Sequence, residues 1–127
     1  MYDSDRGQTP LLRVSHLTKW FPVKKWPFER QRYVKAVDDV SFSVYSGETL
    51  GVVGESGCGK STLARTILRL IEPSAGQILF EGEDFAGLRR RELRRARQAM
   101  QIVFQDPFTS LHPKMRVGSI IAAPLVI

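Results

Sequence analysis

A mixed α/β fold is what this 127-residue sequence predicts, and three observations carry it. Apolar and polar residues alternate with period two toward the end of the stretch Val34 to Tyr45, where Val40, Phe42 and Val44 are separated by Ser41 and Ser43, as in a half-buried strand. A nearly continuous apolar run, Thr49 to Val53, then leads straight into a glycine-rich loop, the pattern of a short strand buried on both faces. Behind the loop, Leu63, Ala64, Ile67, Leu68 and Ile71 fall at the i, i+1, i+4, i+5 and i+8 spacing of an amphipathic helix.

The remaining elements follow in chain order. Residues 1–10 are polar, end in Pro10 and read as a flexible lead-in, which leaves 11–127 as one domain. Leu11 to Lys19 is predicted as the first strand. Trp20 to Arg32 mixes prolines, Lys and Arg with the aromatics Trp20, Phe21, Trp26 and Phe28, a composition suited to an irregular exposed loop or a hairpin insertion, and no regular element is assigned there. The turn Ser46-Gly47-Glu48 separates the second strand from Thr49–Val53. A helix over Ser61 to Ile71 is stopped by Pro73 and Gly76. Gln77 to Glu81 reads as a strand, Leu88 to Met100 as a helix with Leu93, Ala96 and Met100 on its apolar edge, and Gln101 to Phe104 as a further short strand. The closing run Ala122 to Ile127 is apolar, with neither a cap nor a polar tail, and reads as a truncated fragment.

Composition excludes several classes. Hydrophobic residues at 43% and charged residues at 25% are ordinary for a globular chain and argue against wholesale disorder. The longest apolar stretch, Ile120 to Ile127, is broken by Pro124 and falls well short of the roughly 20 residues of a membrane-spanning helix. Met1 to Gly7 lacks the apolar core of a secretory signal, and the single cysteine, Cys58, forms no internal disulfide, so the cytosol is the expected compartment. The net charge of +6 is concentrated: Arg89 to Arg97 holds six Arg and one Glu, with Arg90, Arg94 and Arg97 spaced for one solvated helix face. No aromatic base-stacker is interleaved there, so nucleic acid is not the expected partner, and attraction to an anionic membrane surface is a minor alternative.

The chemistry is concentrated in Gly54-Glu55-Ser56-Gly57-Cys58-Gly59-Lys60-Ser61, followed by Thr62, which fits Gly-x-x-x-x-Gly-Lys-[Ser/Thr] between an apolar strand and an amphipathic helix. Glycines let the backbone turn with positive φ and approach phosphate oxygens closely. The following helix presents unpaired N–H groups and its positive end to the same anion. Lys60 adds a point charge for the β and γ phosphates, and the Ser61 hydroxyl is placed to ligand Mg²⁺. Cys58 stands at a variable position near the helix start and is read as a tolerated small residue without a redox role.

The flanks narrow a motif that many enzymes share. Ala36-Val37-Asp38-Asp39-Val40-Ser41-Phe42-Ser43-Val44, Gly47-Glu48, the loop itself and Pro73-Ser74-Ala75-Gly76-Gln77-Ile78 together resemble the ATP-binding subunit of ABC transporters. Phe21-Pro22-Val23-Lys24-Lys25 and the long run Gln101 to Gly118 are similar to the subfamily that powers bacterial dipeptide, oligopeptide and nickel importers.

That resemblance, over about residues 11 to 121, implies the P-loop core of an ABC nucleotide-binding domain with an N-terminal antiparallel β subdomain, cut off after the Q-loop. It implies ATP and Mg²⁺ as cofactors, held by Gly54 to Thr62. Lys60 and Gln105 would be the catalytic side chains, Gln105 being the Q-loop glutamine that shares Mg²⁺ with Ser61 or positions the attacking water. Phe21 would stack on adenine, with Trp20, Trp26 and Tyr33 as neighbours able to serve instead. The implied partners are membrane-spanning permease subunits, whose coupling helix would meet the segment after Gln105, and a second ATP-binding subunit arranged head to tail. The implied place is peripheral, on the cytoplasmic face of the bacterial inner membrane. The family's signature motif, Walker B aspartate, catalytic glutamate and switch histidine do not occur in the sequence, and neither His16 nor His112 stands where the switch histidine belongs. The chain is therefore expected to bind nucleotide without being a competent ATPase. The alternatives are a non-catalytic nucleotide-binding fragment or another P-loop enzyme such as a nucleotide kinase.

Overall fold

β1 (Leu12–Val23) runs beside both of its neighbours in a four-stranded antiparallel sheet of order β2-β1-β3-β4, in a computed structural model that describes residues 9–23, 31–104, 112 and 114–126. The other strands are β2 (Arg32–Val44), β3 (Ala75–Phe80) and the two-residue β4 (Glu83–Asp84). Helix α1 (Lys60–Ile67) follows the glycine-rich loop, α2 (Arg90–Ala96) continues into a 3-10 turn over Arg97–Ala99, and α3 (Val117–Val126) closes the described chain. No described helix is long and apolar enough to cross a membrane.

The predicted N-terminal antiparallel β unit is present and larger than its sequence pattern suggests. β1 extends four residues past Lys19, and Pro22↔Tyr33 and Val23↔Arg32 are ladder partners, so the stretch left without a regular element is, at both its ends, the arms of a hairpin. Three register shifts along β1 and β2 explain why alternation there is hard to read. At these irregularities His16 and Asp39 adopt φ of 49° and 53°, and their side chains meet at 2.7 Å.

Val14, Leu17 and Ile78 of the sheet pack with Phe85 and Leu93 into the buried cluster, and Phe42, Leu63, Ile67, Leu88 and Met100 close over it. Phe80 and Phe85 meet edge to face at 6.4 Å. Two arginines fasten the helices to this core. Arg69 donates to the carbonyls of Phe85 and Leu88 at 3.0 and 2.9 Å and pairs with Glu72, while Arg97 donates to the carbonyls of Leu68 and Arg69 just past the end of α1. A cation there satisfies orphan carbonyls and complements the negative end of the helix. Arg97 therefore does not belong to the solvated face on which its spacing places it.

Four further predictions are corrected. The helix expected over Ser61 to Ile71 ends at Ile67, because Arg69 turns into the left-handed region with φ 50°. The helix expected over Leu88 to Met100 is shorter, Arg90–Ala96 plus the 3-10 turn. Neither Thr49–Val53 nor Gln101–Phe104 is a strand: Val53 and Val103 are each 94% exposed. The physical reason is pairing. A doubly buried strand needs a ladder partner on each edge, and among the described residues neither run pairs with any strand of the sheet. α3, which reads in sequence only as an apolar run, is an additional element.

Gly76, with φ +97°, lets β3 cross β1 closely: a Cβ there would lie 2.4 Å from the His16 carbonyl oxygen and 2.6 Å from Leu17 Cα. Gly76→Ala is expected to cost about 2 kcal/mol or more, through both the backbone conformation and the clash, read as a lower urea midpoint at unchanged slope.

Candidate functional site

Gly59 sets the geometry of the glycine-rich loop. It is the residue before α1, its φ is +98°, and its carbonyl accepts the Leu63 amide at 2.8 Å, starting the helix. A Cβ at this position would lie 2.0 Å from the carbonyl oxygen of Ala36. Only glycine lets the loop press on β2 in this way and still deliver the chain into α1. No side chain caps α1 and no acidic residue stands in its first turn, so its amides and positive end are left to act on an anion.

Lys60 folds back into the loop. Its Nζ donates to the carbonyls of Gly54 and Glu55 at 2.7 and 2.6 Å and lies 3.4 Å from Cys58 Sγ, while the Cys58 amide donates to Glu55 O at 3.3 Å. The ammonium is thus held at the centre of the loop.

A cavity of about 540 Å³ opens between residues 34–36 of β2 and residues 56–62. Its lining contains the Lys60 ammonium, the hydroxyls of Ser56, Ser61 and Thr62 and no carboxylate; Lys35 also borders it, but its ammonium pairs with Asp38 at 3.1 Å. Its size is within the range of small-molecule sites. An ammonium, hydroxyls and a free helix start in one concave place are the elements of a receptor for a polyanion.

Of the predicted loop residues, Ser56 to Thr62 line this cavity, while Gly54 and Glu55 do not and meet Lys60 through their carbonyls. Phe21 does not line it. It stands directly opposite Val34 in the β1–β2 ladder and so shares a sheet face with a residue that does. Its ring is 37% exposed, with Lys19 Nζ 5.0 Å from the ring centre. Trp20 and Tyr33, the neighbours considered as replacements, stand on the other face, 6.3 Å apart. Gln105 and Trp26 lie outside the described residues, as do Phe108 and Leu111 of the segment expected to meet a permease. Val34, Lys35 and Ala36 border the cavity and were not among the site residues that the sequence pointed to. Only the β1–β2 register, with its bulges, and the fold of the loop onto β2 bring them to the cavity.

The sequence model of the ABC transporter family matches residues 37–121, two thirds of the chain. The chain belongs to the ABC transporter family. It is 56% identical over 116 residues to a probable peptide ABC transporter ATP-binding protein of Sinorhizobium fredii, covering 91% of this chain and 33% of the relative. It is 51% identical over 120 residues to the oligopeptide transport ATP-binding protein AppF of Bacillus subtilis, covering 93% of this chain and 36% of that one. This ABC transporter chain thus spans about a third of the length of the curated relatives it matches. Among solved structures, a dimeric ATP-binding cassette in a post-hydrolysis state bound to ADP and Pi superposes with a TM-score of 0.73 at 23% identity, over 91% of this chain and 47% of that one, which shows the shared fold.

Gly59→Ala in this ABC transporter chain is expected to push the loop off β2 and to weaken binding of inorganic tripolyphosphate by at least about tenfold. Titration calorimetry measures the affinity, and far-UV circular dichroism checks that the sheet and helices are retained.

Proposed function

We propose that the chain binds Mg-ATP through Gly54–Thr62, and that within the full-length protein this site powers import of peptides or a related small solute. The observation that carries the reading is the Lys60 ammonium centred in a loop that ends at an uncapped helix start, beside a cavity with no carboxylate. Family membership and the printed names of the two relatives supply the peptide-import part of the reading.

The donor set fits a nucleotide triphosphate. Backbone amides of residues 57–62 are suited to hold the phosphate oxygens, and Lys60 exchanges its two carbonyl contacts for oxyanion contacts at the β and γ phosphates. Among the described residues no group of three or more His, Cys, Asp or Glu is placed to hold a metal. A Mg²⁺ ion that arrives with the phosphates fits that composition, because it keeps most of its own waters and needs one or two protein oxygens. Ser61 supplies one and Gln105 is proposed as the second. Mg²⁺ offsets the phosphate charge when bound. Phe21 is the proposed adenine stacker.

Hydrolysis in the full-length protein is proposed to require groups beyond these residues: a Walker B carboxylate, a general base and the signature of a second ATP-binding subunit. In that assembly the protein sits on the cytoplasmic face of the inner membrane against permease subunits. The dimeric ATP-binding cassette that shares this fold is compatible with such pairing.

Two outcomes test the reading. Lys60→Met is expected to weaken Mg-ATP binding at least about thirtyfold, because a charge-assisted contact is lost from a site built for an anion. The 127-residue chain is expected to release no phosphate from Mg-ATP above the rate of its own Lys60→Met variant. Unchanged affinity in the variant overturns the site assignment, and a Mg-dependent rate abolished by the substitution overturns the requirement for further groups.

A further inference from the structure

The face of the β1–β2 hairpin turned away from the phosphate loop carries an interlocked cluster that nucleotide binding does not use. Trp20 Nε1 donates to Asp38 Oδ1 at 3.2 Å, and Lys35 Nζ donates to the other oxygen of the same carboxylate at 3.1 Å. The Lys35 ammonium lies 4.9 Å from the centre of the Trp20 ring, and the Tyr33 ring tilts against Trp20 at 6.3 Å. The Trp20 main chain is fastened as well: its amide donates to Ser74 Oγ at 3.0 Å, and the Ser74 amide donates to Thr18 O at 2.8 Å.

Location gives this cluster its meaning. Thr18↔Ala75 is the last pair between β1 and β3, so past Trp20 the hairpin is a ribbon of two strands. Such ribbons are marginal in water unless side chains lock them. Trp20 is the last residue tied to the body of the sheet. Phe21 is the first of the free ribbon, and alternation turns it to the opposite face, the one that Val34 shares with the phosphate-loop cavity.

We propose that Trp20, bonded to Asp38 and covered by Lys35 and Tyr33, is a positioning residue that holds Phe21 on the phosphate-loop side of the hairpin, where it receives an adenine. This rests on the reading of Phe21 as the base-stacking residue. Trp20 itself touches no nucleotide. It fixes twist and register at the root of the ribbon, and the effect is confined to ligands that carry a base.

The test compares ATP with inorganic tripolyphosphate on the 127-residue chain, both with Mg²⁺. Trp20→Leu is expected to weaken ATP about five- to tenfold and to leave tripolyphosphate unchanged. Trp20→Phe keeps a ring between Lys35 and Tyr33 and gives up only the bond to Asp38, so it loses about twofold for ATP. Phe21→Leu is the reference for loss of stacking. If Phe21→Leu weakens ATP while both Trp20 variants bind it as the parent does, the positioning role is overturned and stacking by Phe21 stands. If Phe21→Leu itself leaves ATP binding unchanged, the stacking reading falls and the positioning role with it. Equal weakening of ATP and tripolyphosphate in Trp20→Phe also overturns the proposal, since it makes Trp20 a support of the whole fold.

Discussion

The geometry of the glycine-rich loop depends on one close approach, that of Gly59 to the carbonyl of Ala36. It presses the glycine-rich loop against the second strand of the sheet with no side chain between them. Because Gly59 is also the residue before α1, the same contact fixes where the helix begins and where its unpaired amides point. Lys60 follows immediately, so the position of the ammonium is set by the backbone that precedes it. A loop held in advance spends less of its binding energy on ordering itself around an anion.

The antiparallel sheet is the base against which that contact acts. β1 holds β2 on one edge and β3 on the other, and the buried cluster of Val14, Leu17, Ile78, Phe85 and Leu93 joins them to the helices. Arg97 and Arg69 complete the frame by donating to carbonyls at the far end of α1 and in the turn before α2. The helix is thereby fixed at both ends, by a glycine against backbone at its start and by arginines on carbonyls at its finish. The hairpin beyond Trp20 is the least supported part of the sheet, and it carries the aromatic residue proposed to meet the base.

The glycine-rich loop was the most legible feature in the sequence, because its pattern is local: glycine spacing, Lys60 and Ser61 lie within eight consecutive residues. The antiparallel strands were legible in existence but not in extent, since bulges at His16 and Asp39 interrupt the alternation that a pattern reading depends on. Thr49–Val53 and Gln101–Phe104 have the composition of buried strands, yet composition supplies no pairing partner, and in the described structure they stand exposed. Arg97 read as one more solvated charge because its inward turn answers carbonyls that are close in space and 28 or 29 residues away in sequence. Val34 and Ala36 were invisible as cavity-lining residues for a similar reason, since only the fold of the loop onto β2 brings them there.

Amide hydrogen exchange on the 127-residue chain, with and without Mg-ATP, tests most directly whether this loop, held by β2, is the anion receptor. Slowed exchange at residues 57–62, where loop and first helical turn converge on Lys60, is the predicted result. Exchange unchanged there, with protection appearing instead across the arginines of residues 89–97, would contradict the account and make that basic segment the place where the polyanion binds.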